Sequence, residues 1–218
     1  MGASKHCDIT VFSFQAVKVI TTGEGGAVTT NNKKLYEKLK IFRLHGITKD
    51  KRLFLKKKNS SFPWYYEQQG LSLNFVLPDI NSSLGISQLK RIKSNIEKRK
   101  QLVNYYKKKL KNSKIKLINI PKNIKSSHHL LPAMYEFSNL NKKAKFFKFM
   151  MKNNIFLQVL YIPIYRHPFF RKMNFKIKNY KNSENFYKNC FSLPLHLKIS
   201  KKDIDYVCNK INYWIKKC

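Results

Sequence analysis

One stretch near the start of the chain limits its possible folds more than any other. A largely apolar run from Ile9 to Phe14 leads through Lys18 into a glycine-rich turn, Gly23-Glu24-Gly25-Gly26. Such a run, bounded by turn residues, predicts a buried strand over Asp8 to Phe14. Gly25 to Thr30 predicts the start of a second strand. A lysine set between a strand and a tight turn is held to a position, unlike the lysines scattered over the rest of the chain. A positioned lysine withdrawn from water has a lowered pKa and a freer amine, which Schiff-base chemistry requires.

The 218 residues leave room for one large domain or two small ones. An apolar fraction of 43%, with 16 Phe and 12 Tyr, is enough to fill a core. No apolar run approaches the roughly 18 residues of a membrane span, and the N-terminus lacks the layout of a signal peptide. Cys7, Cys190, Cys208 and Cys218 stand far apart, which argues against a zinc site and against a disulfide framework. No metal site is expected, and a reducing, cytoplasmic setting follows.

The net charge of +34 raises nucleic-acid binding as a function. Arginine, the better reader of phosphates and bases, occurs only six times, and the lysines form no single stripe. Lysine accompanies asparagine, isoleucine and phenylalanine throughout, as compositional drift would produce. The charge predicts non-specific adhesion to polyanions and no specific nucleic acid.

Further along, Lys33 to Phe42 predicts an amphipathic helix behind a Thr30-Asn31-Asn32 cap region. Lys49 to Phe62 reads as a mobile polar loop, and Asp79 to Tyr106 as two helical stretches. Lys114 to Ile120, Leu130 to Phe137 and Phe156 to Ile164 read as strands. Lys142 to Asn153 predicts a helix with Phe146, Phe149 and Met150 on one side. Lys201 to Ile215 predicts a closing helix, capped by Ser200 with Asp203 three residues on. The pattern past residue 60 is that of a small α+β domain.

At this level of detail the chain resembles a known family. Ser13-Phe-Gln-Ala-Val-Lys18-Val-Ile-Thr-Thr-Gly-Glu-Gly-Gly26 is similar to the cofactor-lysine motif of the DegT/StrS sugar-nucleotide aminotransferases, which use pyridoxal phosphate. A second block, Gly70-Leu-Ser-Leu-Asn74-Phe-Val-Leu-Pro-Asp79-Ile-Asn-Ser-Ser-Leu-Gly85-Ile-Ser-Gln-Leu89, resembles the family's Gly-x-Asn-x-Arg-x-x-Asp-Ile-Gln-x-x-Leu-Gly-Leu-x-Gln-Leu. Trp64-Tyr-Tyr-Glu-Gln-Gln69 is nearest to the branch serving pseudaminic-acid synthesis. Ser126-Ser-His-His129-Leu, Gln158-Val-Leu-Tyr161-Ile-Pro, His167-Pro-Phe-Phe and Ser192-Leu-Pro-Leu also fit, so the similarity runs from Gly2 to about Trp214.

The resemblance implies an α/β fold, the C-terminal part of a type I pyridoxal-phosphate transferase. Residues 1–60 would be a remnant of the large domain's mostly parallel sheet. Residues 61–218 would be linking helices and the small domain. It implies that Lys18 bonds to the cofactor and then carries a proton in catalysis. Ser13 would hold the cofactor phosphate, and Asn74 would reach the phosphate of the neighbouring subunit in a homodimer. His129, Tyr161 and His167 would touch the substrate, a 4-keto sugar nucleotide aminated from glutamate. Gly23, Gly25 and Gly26 serve the turn, and His45 in Arg43-Leu-His-Gly-Ile47 reads equally as a turn residue or a site residue.

Three positions depart from the family pattern. Val76 stands in place of an arginine, Gln15 in place of a histidine, and Leu160 in place of the histidine before Tyr161. By the same resemblance, Met1 to Asp8 correspond to a point inside the large domain. The N-terminal half of a family chain, with its phosphate helix, ring-stacking aromatic and ring-nitrogen carboxylate, is therefore expected upstream. The chain is expected to be inactive by itself or to need a separate N-terminal complement. Two other readings stay open: a lysine-rich nucleic-acid-binding module, and a non-catalytic partner of a full-length aminotransferase.

Overall fold

The apolar run at the start forms a strand, but a shorter one than expected and not a buried one, since Val11 is 74% exposed and no residue of it is buried. β1 (Thr10–Ser13) pairs antiparallel with β2 (Gly26–Thr29), with Val11 opposite Val28 and Ser13 opposite Gly26. The structure, a computed structural model, describes residues 6–56, 58, 61–173 and 180–217. It divides into two compact units, Met1–Ile92 and Lys93–Cys218. The division expected at residue 60 falls inside the first unit, because pairings reach across it from Thr48 to Glu67 and from Thr22 to Asn81.

In the first unit, α1 (Lys33–Arg43) starts where the Asn32 side chain accepts from the Leu35 N–H at 3.2 Å. This satisfies one of the donors that every helix N-terminus leaves open. β3 (Ile47–Thr48) pairs antiparallel with β4 (Glu67–Gln68). Between them the expected mobile loop holds a short 3-10 turn over Lys51–Leu53 and a buried Phe54. Residues 57, 59 and 60 of that loop lie outside the described residues. α2 (Asp79–Lys90) opens with Pro78 just ahead of it and the Asp79 carboxylate in its first turn, where a negative charge suits the helix dipole.

α3 (Ile92–Lys109) leads into the second unit, whose sheet is antiparallel in the order β5 (Lys116–Leu117), β6 (Leu131–Met134), β7 (Cys190–Leu193). The unit also holds α4 (Leu140–Lys152), the short α5 (Pro168–Arg171), α6 (Lys181–Asn189) and α7 (Lys201–Lys217). On α4, Phe146 and Met150 are one turn apart and buried. On α7, Ile204, Val207, Cys208, Ile211 and Trp214 recur at helical spacing and form the buried stripe. Phe146 packs against Trp214 with ring centres 4.8 Å apart and against Phe191 at 5.2 Å.

The cap expected for α7 is present in reciprocal form. The Ser200 N–H donates to Asp203 Oδ2 at 2.8 Å, and the Asp203 N–H donates to Ser200 Oγ at 3.1 Å. The strand expected over Phe156 to Ile164 does not form. Only Gln158 bridges to Ser192, and Phe156, Tyr161, Ile162 and Ile164 are exposed. Pro163 has no N–H to donate, so pairing along β7 cannot extend through it. No described helix is long and apolar enough to cross a membrane.

Candidate active site

The backbone of Phe14 closes the loop that carries Lys18. Its carbonyl accepts from the Thr22 N–H at 2.9 Å and from Thr21 Oγ1 at 3.0 Å, while its N–H donates to the Gly25 carbonyl at 2.8 Å. Within this clasp the Lys18 N–H donates to the Gln15 carbonyl at 2.9 Å. Lys18 is thus fixed at the backbone, and its side chain is half-buried. Its ammonium has no hydrogen-bond or ionic partner among the described residues.

The glycine turn is required by close approach. Gly25 sits at φ +145°, and a Cβ there would lie 2.7 Å from Leu77 Cδ1 and 2.6 Å from Thr22 Oγ1. Gly85 of α2 meets Thr22 in the same way, since its Cβ would lie 2.8 Å from Thr22 Cγ2. The Asn81 side chain donates to the Thr22 carbonyl at 2.6 Å. The turn that presents Lys18 is therefore docked on the first half of α2 and the residues before it.

Ser13 lies on the exposed side of β1. Its Oγ accepts from the Gln15 N–H at 3.5 Å, which leaves the hydroxyl proton available. Asn74 is exposed and bridges Leu44 in antiparallel fashion. Its Oδ1 accepts from the Val76 N–H at 3.1 Å, leaving the amide NH2 as its spare group. His45 adopts φ +53° beside Gly46, so it occupies a turn, with its N–H donating to the Leu73 carbonyl.

The other three candidates belong to the second unit. His129 is half-buried in the segment before β6. Tyr161 is 64% exposed, and His167 is exposed at the start of α5.

Three buried charged groups were not anticipated: Glu67, Arg99 and Lys143, whose ammonium donates to the Tyr187 and Cys190 carbonyls. Glu67 accepts from the N–H groups of Leu55 and Lys56, each at 2.7 Å, from Gln69 Nε2 at 2.9 Å and from the Tyr65 hydroxyl at 3.1 Å. Burial raises its pKa, but these donors outweigh burial and hold the carboxyl at about 2. Arg99 is buried on α3. Its Nη1 donates to the carbonyls of His128, His129 and Leu195 at 3.2, 3.4 and 3.2 Å, and burial lowers its pKa. A glutamate among aromatics and glutamines was the only signal for the first, and nothing local marked the second.

The residues on the Lys18 loop fit a phosphate-bearing cofactor. An ammonium without an anion and a hydroxyl with its proton unspent are the donors such a group takes up. The comparisons with known proteins point the same way. The family model of the DegT/DnrJ/EryC1/StrS aminotransferases matches residues 2–212.

The chain belongs to that family.

Among its relatives is the UDP-4-amino-4,6-dideoxy-N-acetyl-beta-L-altrosamine transaminase of Campylobacter jejuni, 38% identical over 204 residues, which are 93% of this chain and 51% of the relative. An uncharacterized protein of Methanocaldococcus jannaschii is 37% identical over 94% of this chain and 53% of its own length. Among solved structures, the Helicobacter pylori aminotransferase PseC, involved in pseudoaminic acid biosynthesis, matches with TM-score 0.85 and 32% identity, covering 97% of this chain and 54% of that one. A Streptococcus pneumoniae protein described as a sugar aminotransferase matches in its PLP form with TM-score 0.87 and 28% identity, over 99% of this chain and 53% of that one. Its PMP form also matches, with TM-score 0.88. The α/β fold expected of a type I pyridoxal-phosphate transferase is the fold these structures share with the chain. The chain spans about half the length of the relatives it matches.

Proposed function

We propose that this chain supplies the cofactor-lysine loop and the small domain of a sugar-nucleotide aminotransferase, with Lys18 as the lysine that bonds to pyridoxal phosphate. The observation that carries the reading is the clasp of Phe14 on Thr21, Thr22 and Gly25, which fixes Lys18 beside Ser13 in a family whose solved members include PLP and PMP forms. When bound, pyridoxal phosphate supplies a carbon that an amine can attack and a conjugated ring that disperses charge from the substrate carbon.

The chain's own residues then have separate tasks. Lys18 Nζ would hold the cofactor and, once displaced by the amino donor, would take a proton from the substrate carbon and return it. Ser13 donates its hydroxyl proton to a phosphate oxygen, and the Asn74 amide donates to the phosphate of a second copy in a homodimer. His129, Tyr161 and His167 meet the substrate, with glutamate as amino donor and a 4-keto sugar nucleotide of the pseudaminic-acid type as acceptor. The setting is cytoplasmic.

We further propose that added polypeptide, equivalent to the remaining length of the relatives, covers the first unit. Leu71, Ile80, Leu55 and Val11 are 93%, 85%, 78% and 74% exposed there. On α2, Ile80, Leu84, Ile86 and Leu89 are exposed and only Gly85 is buried, which leaves an apolar patch uncovered. Val76, itself 44% exposed, offers no cation where the family pattern has one.

The test is amino transfer from glutamate to a UDP-linked 4-keto sugar, followed with the chain alone and with a polypeptide equivalent to the relatives' other half. The account expects turnover only in the second mixture. Turnover by the chain alone would overturn the need for a complement. A complemented sample that binds cofactor yet transfers nothing would overturn the aminotransferase reading.

A further inference from the structure

A cavity of about 300 Å3 lies wholly within the second unit, and its lining includes His129, the residue given to the substrate above. Its apolar wall includes Val103 of α3, Leu117 of β5 and Leu131 of β6. Its polar wall includes Lys107, Ser126 and His128. Val103 and Lys107 are one helical turn apart, so they present an apolar and a cationic group on the same face. A volume near 300 Å3 is at the small end of ligand pockets, which combine apolar walls with a few fixed polar groups.

Lys107 and Ser126 bring donors whose protons are not taken up within the described residues. Lys107 has no ionic or hydrogen-bond partner among the described residues. Ser126 Oγ accepts from the His128 N–H at 3.1 Å, so its own proton is unspent. The charges that act on His128 come from Lys107, Lys100 and Arg99, all cations. No carboxylate lines the cavity.

The backbone here is also held in a costly shape. His128 adopts φ +49°, a region that a residue with a side chain seldom enters without support. The support is Arg99, which donates to the His128 and His129 carbonyls and to Leu195 beyond β7. No carboxylate pairs with Arg99 among the described residues. A buried guanidinium spent on three carbonyls fixes the wall of a cavity more firmly than packing alone would need.

From this arrangement we infer that the cavity is a binding site for a small phosphorylated compound with an apolar body, its phosphate taken by Lys107, Ser126 and His128. Phosphate is the ligand class because a compact polyanion uses an ammonium, a hydroxyl and an imidazole together. The apolar wall gives an apolar body a surface that inorganic phosphate would leave unused. This inference does not depend on the role given to Lys18.

The test is a titration of the chain with phenyl phosphate in buffer containing physiological salt, followed by the amide resonances of residues 126–131, with phenol and inorganic phosphate as comparisons. Because the whole chain is basic, Lys148→Ala on the exposed side of α4 serves as a charge-matched control. Phenyl phosphate is expected to shift these resonances saturably and to bind more tightly than either comparison compound. Lys107→Ala should weaken it about tenfold, the loss expected for one charge-assisted hydrogen bond. His128→Asn, which tolerates the left-handed backbone, should weaken it comparably. Lys148→Ala should leave it within about twofold. Equal weakening by Lys107→Ala and Lys148→Ala, tighter binding of phenol, or no saturable shift would each overturn the inference.

Discussion

The carbonyl of Phe14 accepts from the Thr22 N–H at 2.9 Å, and this one bond shuts the loop on which Lys18 stands. The loop is a local device, built from a strand end, two threonines and a glycine turn. Thr22 is 3% exposed and binds α2 through Asn81, so the clasp is also tied to the unit's longer-range packing. The backbone position of Lys18 is thereby set by Phe14, Thr21, Thr22 and Gly25.

Ser13 should contribute measurably to cofactor affinity. A hydroxyl donating to a phosphate dianion is a charge-assisted bond worth about 1.5–3 kcal/mol. Ser13→Ala in the complemented protein should raise the Kd for pyridoxal phosphate by roughly one to two decades, read by fluorescence titration. An unchanged Kd would remove Ser13 from the phosphate site.

Glu67 makes an acid-side prediction. Its pKa lies below the ordinary carboxyl value of 4.5, at about 2, so its contribution is fully present above the unfolded value. That contribution falls away as pH drops from about 4.5 toward about 2. Over this window the amides of Leu55 and Lys56 should lose hydrogen-exchange protection before β1 does. Glu67→Gln should reproduce the loss at neutral pH, by about tenfold in exchange rate. Equal protection of these amides in both proteins would show that the loop is held by other contacts.

Phe146 tests the core of the second unit. It is 1% exposed and packs between Trp214 and Phe191. Phe146→Ala should cost about 3–5 kcal/mol through lost transfer energy and the cavity left behind. Denaturant unfolding followed by tryptophan fluorescence measures this, and a loss under about 1 kcal/mol would mean the site collapses freely.

Much of the fold was legible because its signals were local. α7 shows its buried stripe and its Ser200–Asp203 cap directly in sequence, and the α1 start at Asn32 follows from a short polar side chain before the first apolar periodic residue. The Lys18 loop was legible because strand, lysine and glycines are consecutive. What was missed depends on distant partners. Phe156 to Ile164 has the composition of a strand, but only Gln158 finds a partner, and Pro163 withdraws a donor. Glu67 is held by the N–H groups of Leu55 and Lys56, which lie a loop away in sequence. Arg99 reads as one more basic residue in a basic helix, and its role appears only when residues 128, 129 and 195 meet around it. The division between units falls after Ile92, and no glycine or proline marks that point.

The central claim concerns one amine among many, so the most direct measurement is a competition among them. The chain is incubated with pyridoxal phosphate, reduced with borohydride, digested and mapped by mass spectrometry. The account predicts that Lys18 carries most of the label at low cofactor concentration, and that Lys18→Ala removes this label without raising it elsewhere. Label spread over the exposed lysines, with Lys18 no richer than its neighbours, would contradict the assignment of Lys18 as the cofactor lysine.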